Sequence, residues 1–214
     1  MSAEFNVGRK NMNSLYVDRN WEDLEHAFGS AEDVPNLLIE LNSSDTTTRN
    51  NALHELFGNI WHQGTVYPAT VKAIPALVAL LQSPSCHDSQ NVALLLACIA
   101  NGDGYYNVHS NLEKLRPTYE KILAEKGTSI TEEIQRENIY VEAIQSMAVE
   151  YMPLVESYLK SEDSGVREAV ISAMFRHAKT FNHYEQTLAE HLDVEIDEDI
   201  RDLILSELKL LHVK

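Results

Sequence analysis

The chain has 214 residues, 44% of them hydrophobic and 23% charged, with 33 acidic residues against 17 basic ones for a formal charge of −16. That balance argues against nucleic-acid binding, which needs a basic footprint to displace backbone counterions. No apolar run approaches the ~18 residues of a membrane-spanning helix, and eight glycines and six prolines leave no low-complexity class.

Two cysteines, Cys86 and Cys98, fit a reduced, cytoplasmic compartment. The start, Met1 to Asn6, lacks the charged-then-apolar pattern of a secretory signal. Residues 1–17 read as an N-terminal extension and 18–214 as a single domain. Helical spacing of apolar residues, as in Ala52, Leu53, Leu56, Phe57 and Ile60, predicts helices over 19–28, 32–42, 46–61, 67–82, 88–100, 111–126, 131–149, 152–160, 164–179, 183–192 and 198–211. No segment alternates apolar and polar residues long enough for a strand, so the fold class is all-α.

Two regularities organise these helices. Pro35, Pro75, Pro117 and Pro153 stand 40, 42 and 36 residues apart, and each opens an apolar run. Proline suits the first helical turn, where its missing N–H has no intrahelical partner to lose. Its return every ~40 residues predicts a stacked array of helix pairs. Asp45 and Arg49, Asp163 and Arg167, and Asp197 and Arg201 share the spacing Asp-x-x-x-Arg. Each Asp is placed to cap a helix N-terminus. Each Arg is placed to pair with that Asp or with a neighbouring unit's carboxylate. Ser30 with Asp33, and Ser129 with Glu132, resemble capping boxes. Gly102 and Gly127 fall where preceding helices should stop.

With its apolar-Pro runs (Val34-Pro35, Ile74-Pro75, Met152-Pro153) and its Asp-x-x-x-Arg runs, the chain resembles the HEAT-repeat, armadillo-like proteins over residues 18–211. Arg116-Pro117 departs from that pattern, and Ser89 stands where the third unit should carry its Arg. The resemblance implies a right-handed α-α superhelix of about five helix pairs. The stretch His62-Gln63-Gly64-Thr65-Val66-Tyr67-Pro68 is similar to one in small bacterial HEAT-like proteins, some of them found beside secreted toxins. It therefore implies an immunity protein (antitoxin).

Partner-binding candidates follow from residue type. Trp61, His62 and Tyr67 surround the Gly64 turn, and aromatic residues dominate interface energetics. Tyr105 and Tyr106 close the irregular link 101–107, expected to project from the stack. Asp197, Glu198, Asp199 and Glu156 belong to acidic segments suited to a basic partner protein. His54-Glu55 is a single His-Glu dipeptide. The HEAT-repeat enzyme deoxyhypusine hydroxylase holds two irons through several, so no metal, cofactor or catalytic residue is expected here. The alternative reading is a metal- or small-ligand-binding HEAT-like enzyme using His54, His62 and nearby carboxylates.

Overall fold

A computed structural model describes residues 20–111 and 114–212, so the extension over 1–17 lies outside the described residues. The chain is mostly helical, with ten α-helices among the described residues. It opens differently from the prediction. In place of a helix over 19–28 there are turns and a small hairpin, β1 (Glu25–His26) paired antiparallel with β2 (Gly29–Ser30). Gly29, at φ +121, opens β2 in a backbone conformation that glycine adopts freely. Ser30 consequently caps nothing; its hydroxyl donates to the Glu22 carbonyl.

Then come α1 (Val34–Glu40), α2 (Thr46–Asn59), and a second hairpin of β3 (Trp61–His62) and β4 (Thr65–Val66). Helices α3 (Pro68–Leu81), α4 (Ser89–Ala100), α5 (Tyr105–His109) and α6 (Arg116–Glu125) follow. The helix predicted over 111–126 thus starts later, at Arg116, and α5 forms where the sequence reads as an irregular link. Helix α7 (Ile130–Glu156) runs for 27 residues and ends in a 3₁₀ turn, Ser157–Lys160. Last are α8 (Ser164–Arg176), α9 (Tyr184–Leu192) and α10 (Glu198–His212).

The prolines divide into two groups. Pro35 and Pro117 lie in the first turn of α1 and α6, as predicted, but Pro75 and Pro153 lie inside α3 and α7. An interior proline costs roughly 3 kcal/mol. Helix α7 continues through Pro153 because its buried face does: Ala148, Tyr151, Met152 and Val155 are all in the core. Tyr151 also donates its hydroxyl to the Leu96 carbonyl of α4, 3.1 Å away. Burying four such side chains outweighs one lost backbone bond.

The Asp-x-x-x-Arg units do what their spacing requires at the Asp. Asp45 accepts from the Thr48 N–H at 2.8 Å, Asp163 from Val166 at 3.2 Å, and Asp197 from Asp199 at 3.1 Å. The arginines turn mainly to backbone. Arg49 donates to the carbonyls of Ser43 and Ser44, and Arg201 to those of Leu192 and Glu195. Arg167 does likewise with Ser161 and Glu162 and also reaches a carboxylate, Glu195. Each Arg therefore fastens the link entering its helix by satisfying carbonyls that have no ladder partner. Where the third unit lacks its Arg, Asp88 still caps α4 through the Asn91 N–H.

Helix α1 packs on α2 and α3, α3 on α4 and α7, α4 on α7 and α8, and α8 on α9 and α10. The buried core runs through these contacts from Trp21 to Ile204. No helix among the described residues is long and apolar enough to cross a membrane.

Candidate functional site

A cleft of about 560 Å³ lies at the meeting of both hairpin regions, α3, α5 and α7. Four tyrosines line it: Tyr67 before α3, Tyr105 and Tyr106 on α5, and Tyr140 on α7. His62 and Phe28 come from the hairpins, and Glu25, Glu133, Arg136 and Glu137 supply charge.

Local structure fixes each wall. The β3–β4 turn places Gln63 at φ 50 and Gly64 at φ 89, both left-handed, as a two-residue hairpin turn demands. After it, the Thr65 hydroxyl sits 2.6 Å from the Tyr67 hydroxyl, and Tyr67 donates its N–H to Thr70 Oγ1 at 2.9 Å. Thr70 thus organises the start of α3.

The link over 101–104 does not project. Its Asp103 carbonyl accepts from the Val66 N–H at 2.9 Å, and its Asp103 N–H donates to the Gly64 carbonyl at 3.0 Å. Gln145 and Arg176 hold it from α7 and α8 through the Gly102 carbonyl and the Asp103 carboxylate. The expectation of a protruding loop fails because Gly102 and Asp103 are bonded to the second hairpin, α7 and α8.

At the other rim, Phe28 is 71% exposed at the tip of the first hairpin. Its N–H donates to His26 Nδ1 at 3.0 Å, which places the His26 hydrogen on Nε2, facing Asp33 Oδ1 at 3.1 Å. Asp33 in turn accepts from Asn59 at 2.6 Å. A solvent-exposed aromatic is thereby positioned by a part-buried polar chain, its ring 5.5 Å from that of His62.

Glu137 is the unusual member. It is only 7% exposed, and its Oε2 accepts the Tyr106 N–H at 2.9 Å, closing the open start of the five-residue α5. Gly104 leaves room for it, since a Cβ there would lie 2.5 Å from that oxygen. Burial pushes the Glu137 carboxyl up to about 7; the N–H groups of Tyr106 and Asn107 oppose the rise, and the charge of Glu133 adds to it. Burial likewise raises Tyr67, Tyr106 and Tyr140, so the phenols stay neutral. Arg136 is held by Glu133 at 2.6 Å. With that pair self-neutralised, Glu25 and Glu137 leave the cleft acidic.

The structure therefore brings His62, Tyr67, Tyr105 and Tyr106 together. Trp61 faces elsewhere, packing edge-on against Phe57 and lining a separate hollow of about 250 Å³ with Cys98 and Glu168. Burial raises the Cys98 thiol to about 12, leaving it protonated and unreactive. Glu156 lies beside His183 at 3.3 Å, and Asp197, Glu198 and Asp199 cluster at the start of α10, where Asp197 serves as its cap. None of these five lines the tyrosine cleft. Glu25, Phe28, Glu133, Glu137 and Tyr140 complete the cleft and were not singled out by residue type. His54 and Glu55 are exposed on α2. No group of three or more His, Cys, Asp or Glu among the described residues could hold a metal ion. No family model matches the chain, and no curated protein matches it significantly.

Proposed function

We propose that the protein is a non-enzymatic, protein-binding scaffold: a HEAT-like solenoid of about five helix pairs in a right-handed superhelix that holds a basic partner. Contacts in chain order, α1 with α2, α3 with α4 and α8 with α9, support the array reading, while α4 packs on α7 and α8 across the intervening α5 and α6. The observation that carries the binding reading is the tyrosine-lined acidic cleft, in a chain of formal charge −16. Neutral tyrosine rings and an exposed Phe28 offer contact area at small entropic cost, while uncompensated carboxylates select for positive charge. In its sharper form, the protein is a cytoplasmic immunity protein that covers the active site of a toxin domain.

The test is co-expression of the tagged protein with neighbouring reading frames, followed by capture at low and high salt. A partner that co-purifies and is lost as salt rises supports the reading; no partner, or a salt-indifferent one, rejects it. Reversing the charges of Asp197, Glu198 and Asp199 in parallel tells whether the start of α10 takes part. An adaptor using another face is indifferent to that change.

A second reading, a small-ligand-binding enzyme, draws on Glu137. A carboxyl held near neutrality in a cleft of this volume suits proton transfer. A metal or small molecule that stays with the purified protein, detected by elemental analysis or mass spectrometry, favours it.

A further inference from the structure

We propose that the cleft between the Phe28 hairpin, α5 and α7 is a receptor for one arginine side chain of the partner, with the guanidinium held among the tyrosine rings and neutralised by Glu137. The inference rests on the protein-binding reading and names what that surface recognises.

Three features argue for a cation of this shape. The cleft is lined by five aromatic rings, Phe28 and four tyrosines, and ring faces attract cations. Among the described residues that line it, the one lysine or arginine is Arg136, which Glu133 engages, so none of these pairs with Glu25 or Glu137. Glu137 is held in place by the backbone of α5 and cannot swing out to water without uncapping that helix. A buried carboxyl in that position gains most from a cation brought to it. Guanidinium fits better than ammonium, because it is planar, weakly hydrated and stacks on aromatic rings. The exposed ring of Phe28 stands at the rim, where it covers the aliphatic stem of an entering side chain.

A proton balance follows. Near pH 7 a fraction of Glu137 is protonated in the free protein, and an entering guanidinium favours the ionised form. The proton leaves to buffer as the ion pair forms, so binding tightens as pH rises from about 6 to about 8.

The experiment titrates the full chain with acetyl-arginine-amide, acetyl-lysine-amide and acetyl-citrulline-amide, followed by calorimetry in buffers of different ionisation heat. Arginine is expected to bind saturably, about tenfold tighter than citrulline and tighter than lysine, with proton release. Phe28→Ala, at an exposed position, is expected to weaken arginine about fivefold with an unchanged circular dichroism spectrum. Glu137→Gln is expected to weaken it about tenfold and to abolish the proton release. Citrulline equal to arginine, lysine tighter than arginine, or binding indifferent to both substitutions overturns the inference. A captured partner together with an arginine probe that fails to bind sinks this inference alone. A probe that binds with no partner captured sinks the protein-binding reading instead.

Discussion

Arg167 and Glu195 meet in a bidentate pair, Nε to Oε2 and Nη2 to Oε1, each at 2.8 Å, with the Glu195 side chain almost wholly buried. The same carboxylate takes His191 Nε2 at 3.0 Å and the N–H groups of Ile196 and Asp197 at 3.0 Å. Arg167 turns its third nitrogen, Nη1, to the carbonyls of Ser161 and Glu162. One ion pair therefore joins the entry to α8, the end of α9 and the entry to α10.

Removing one half of this pair leaves the other buried and uncompensated. Glu195→Ala is expected to cost about 3–5 kcal/mol in urea unfolding. The double substitution Arg167→Met with Glu195→Leu is expected to cost less than Glu195→Ala alone, because no lone charge remains inside.

Acid should act on the same pair. The Arg167 guanidinium holds the Glu195 carboxyl down at about 2, against an ordinary value of 4.5. A lowered carboxyl stabilises the fold above its unfolded value and loses that contribution as pH falls from 4.5 towards 2. Acid unfolding followed by circular dichroism should therefore begin at higher pH in Glu195→Gln than in the parent chain.

Glu137 has the opposite sign. Its carboxyl is raised to about 7, so its contribution is full below 4.5 and is lost as pH rises through 7. Glu137→Gln is expected to raise the thermal midpoint at about pH 8 by ~2–4 °C and to change it less at about pH 5. A side chain that costs stability at neutral pH yet lies in the cleft is what a binding residue looks like.

Gly104→Ala tests how Glu137 is held. The new methyl would sit 2.9 Å from the Glu137 Cβ and closer still to its carboxylate. Either α5 or the Glu137 side chain must move, at a cost of about 1–3 kcal/mol. Chemical unfolding measures the cost, and partner capture should weaken with it.

Gln63 occupies a left-handed position that suits Asn or Gly better. Gln63→Asn is expected to stabilise the chain by about 0.5 kcal/mol in urea unfolding and to leave partner capture unchanged.

Most helices were legible because capping and apolar spacing are local signals: Asp45, Asp163 and Ser129 cap the helices their positions predict. The first hairpin was not, since Trp21, Leu24 and Phe28 imitate a helical face. Helix α7 was cut in two because Pro153 carries a local cost that only tertiary burial overrides. Read as one helix, Ile130, Ile134, Glu137, Val141, Ile144, Ala148, Tyr151 and Val155 alternate steps of four and three along one face. A lone acid in that stripe is a visible anomaly. Phe28 had no such signal, because its exposure depends on how His26, Asp33 and Asn59 meet.

The seam joining Gly64 and Val66 to Asp103 has a mechanical consequence. Gly102 lies so close to Val66 that a Cβ would stand 2.4 Å from its Cγ1, so the two segments have no slack between them. Tyr67 and the Tyr105–Tyr106 pair flank this weld on either side and must travel as one plate. The Val66 and Asp103 amides should therefore trade their hydrogens for deuterium at matching rates, in a single shared opening event.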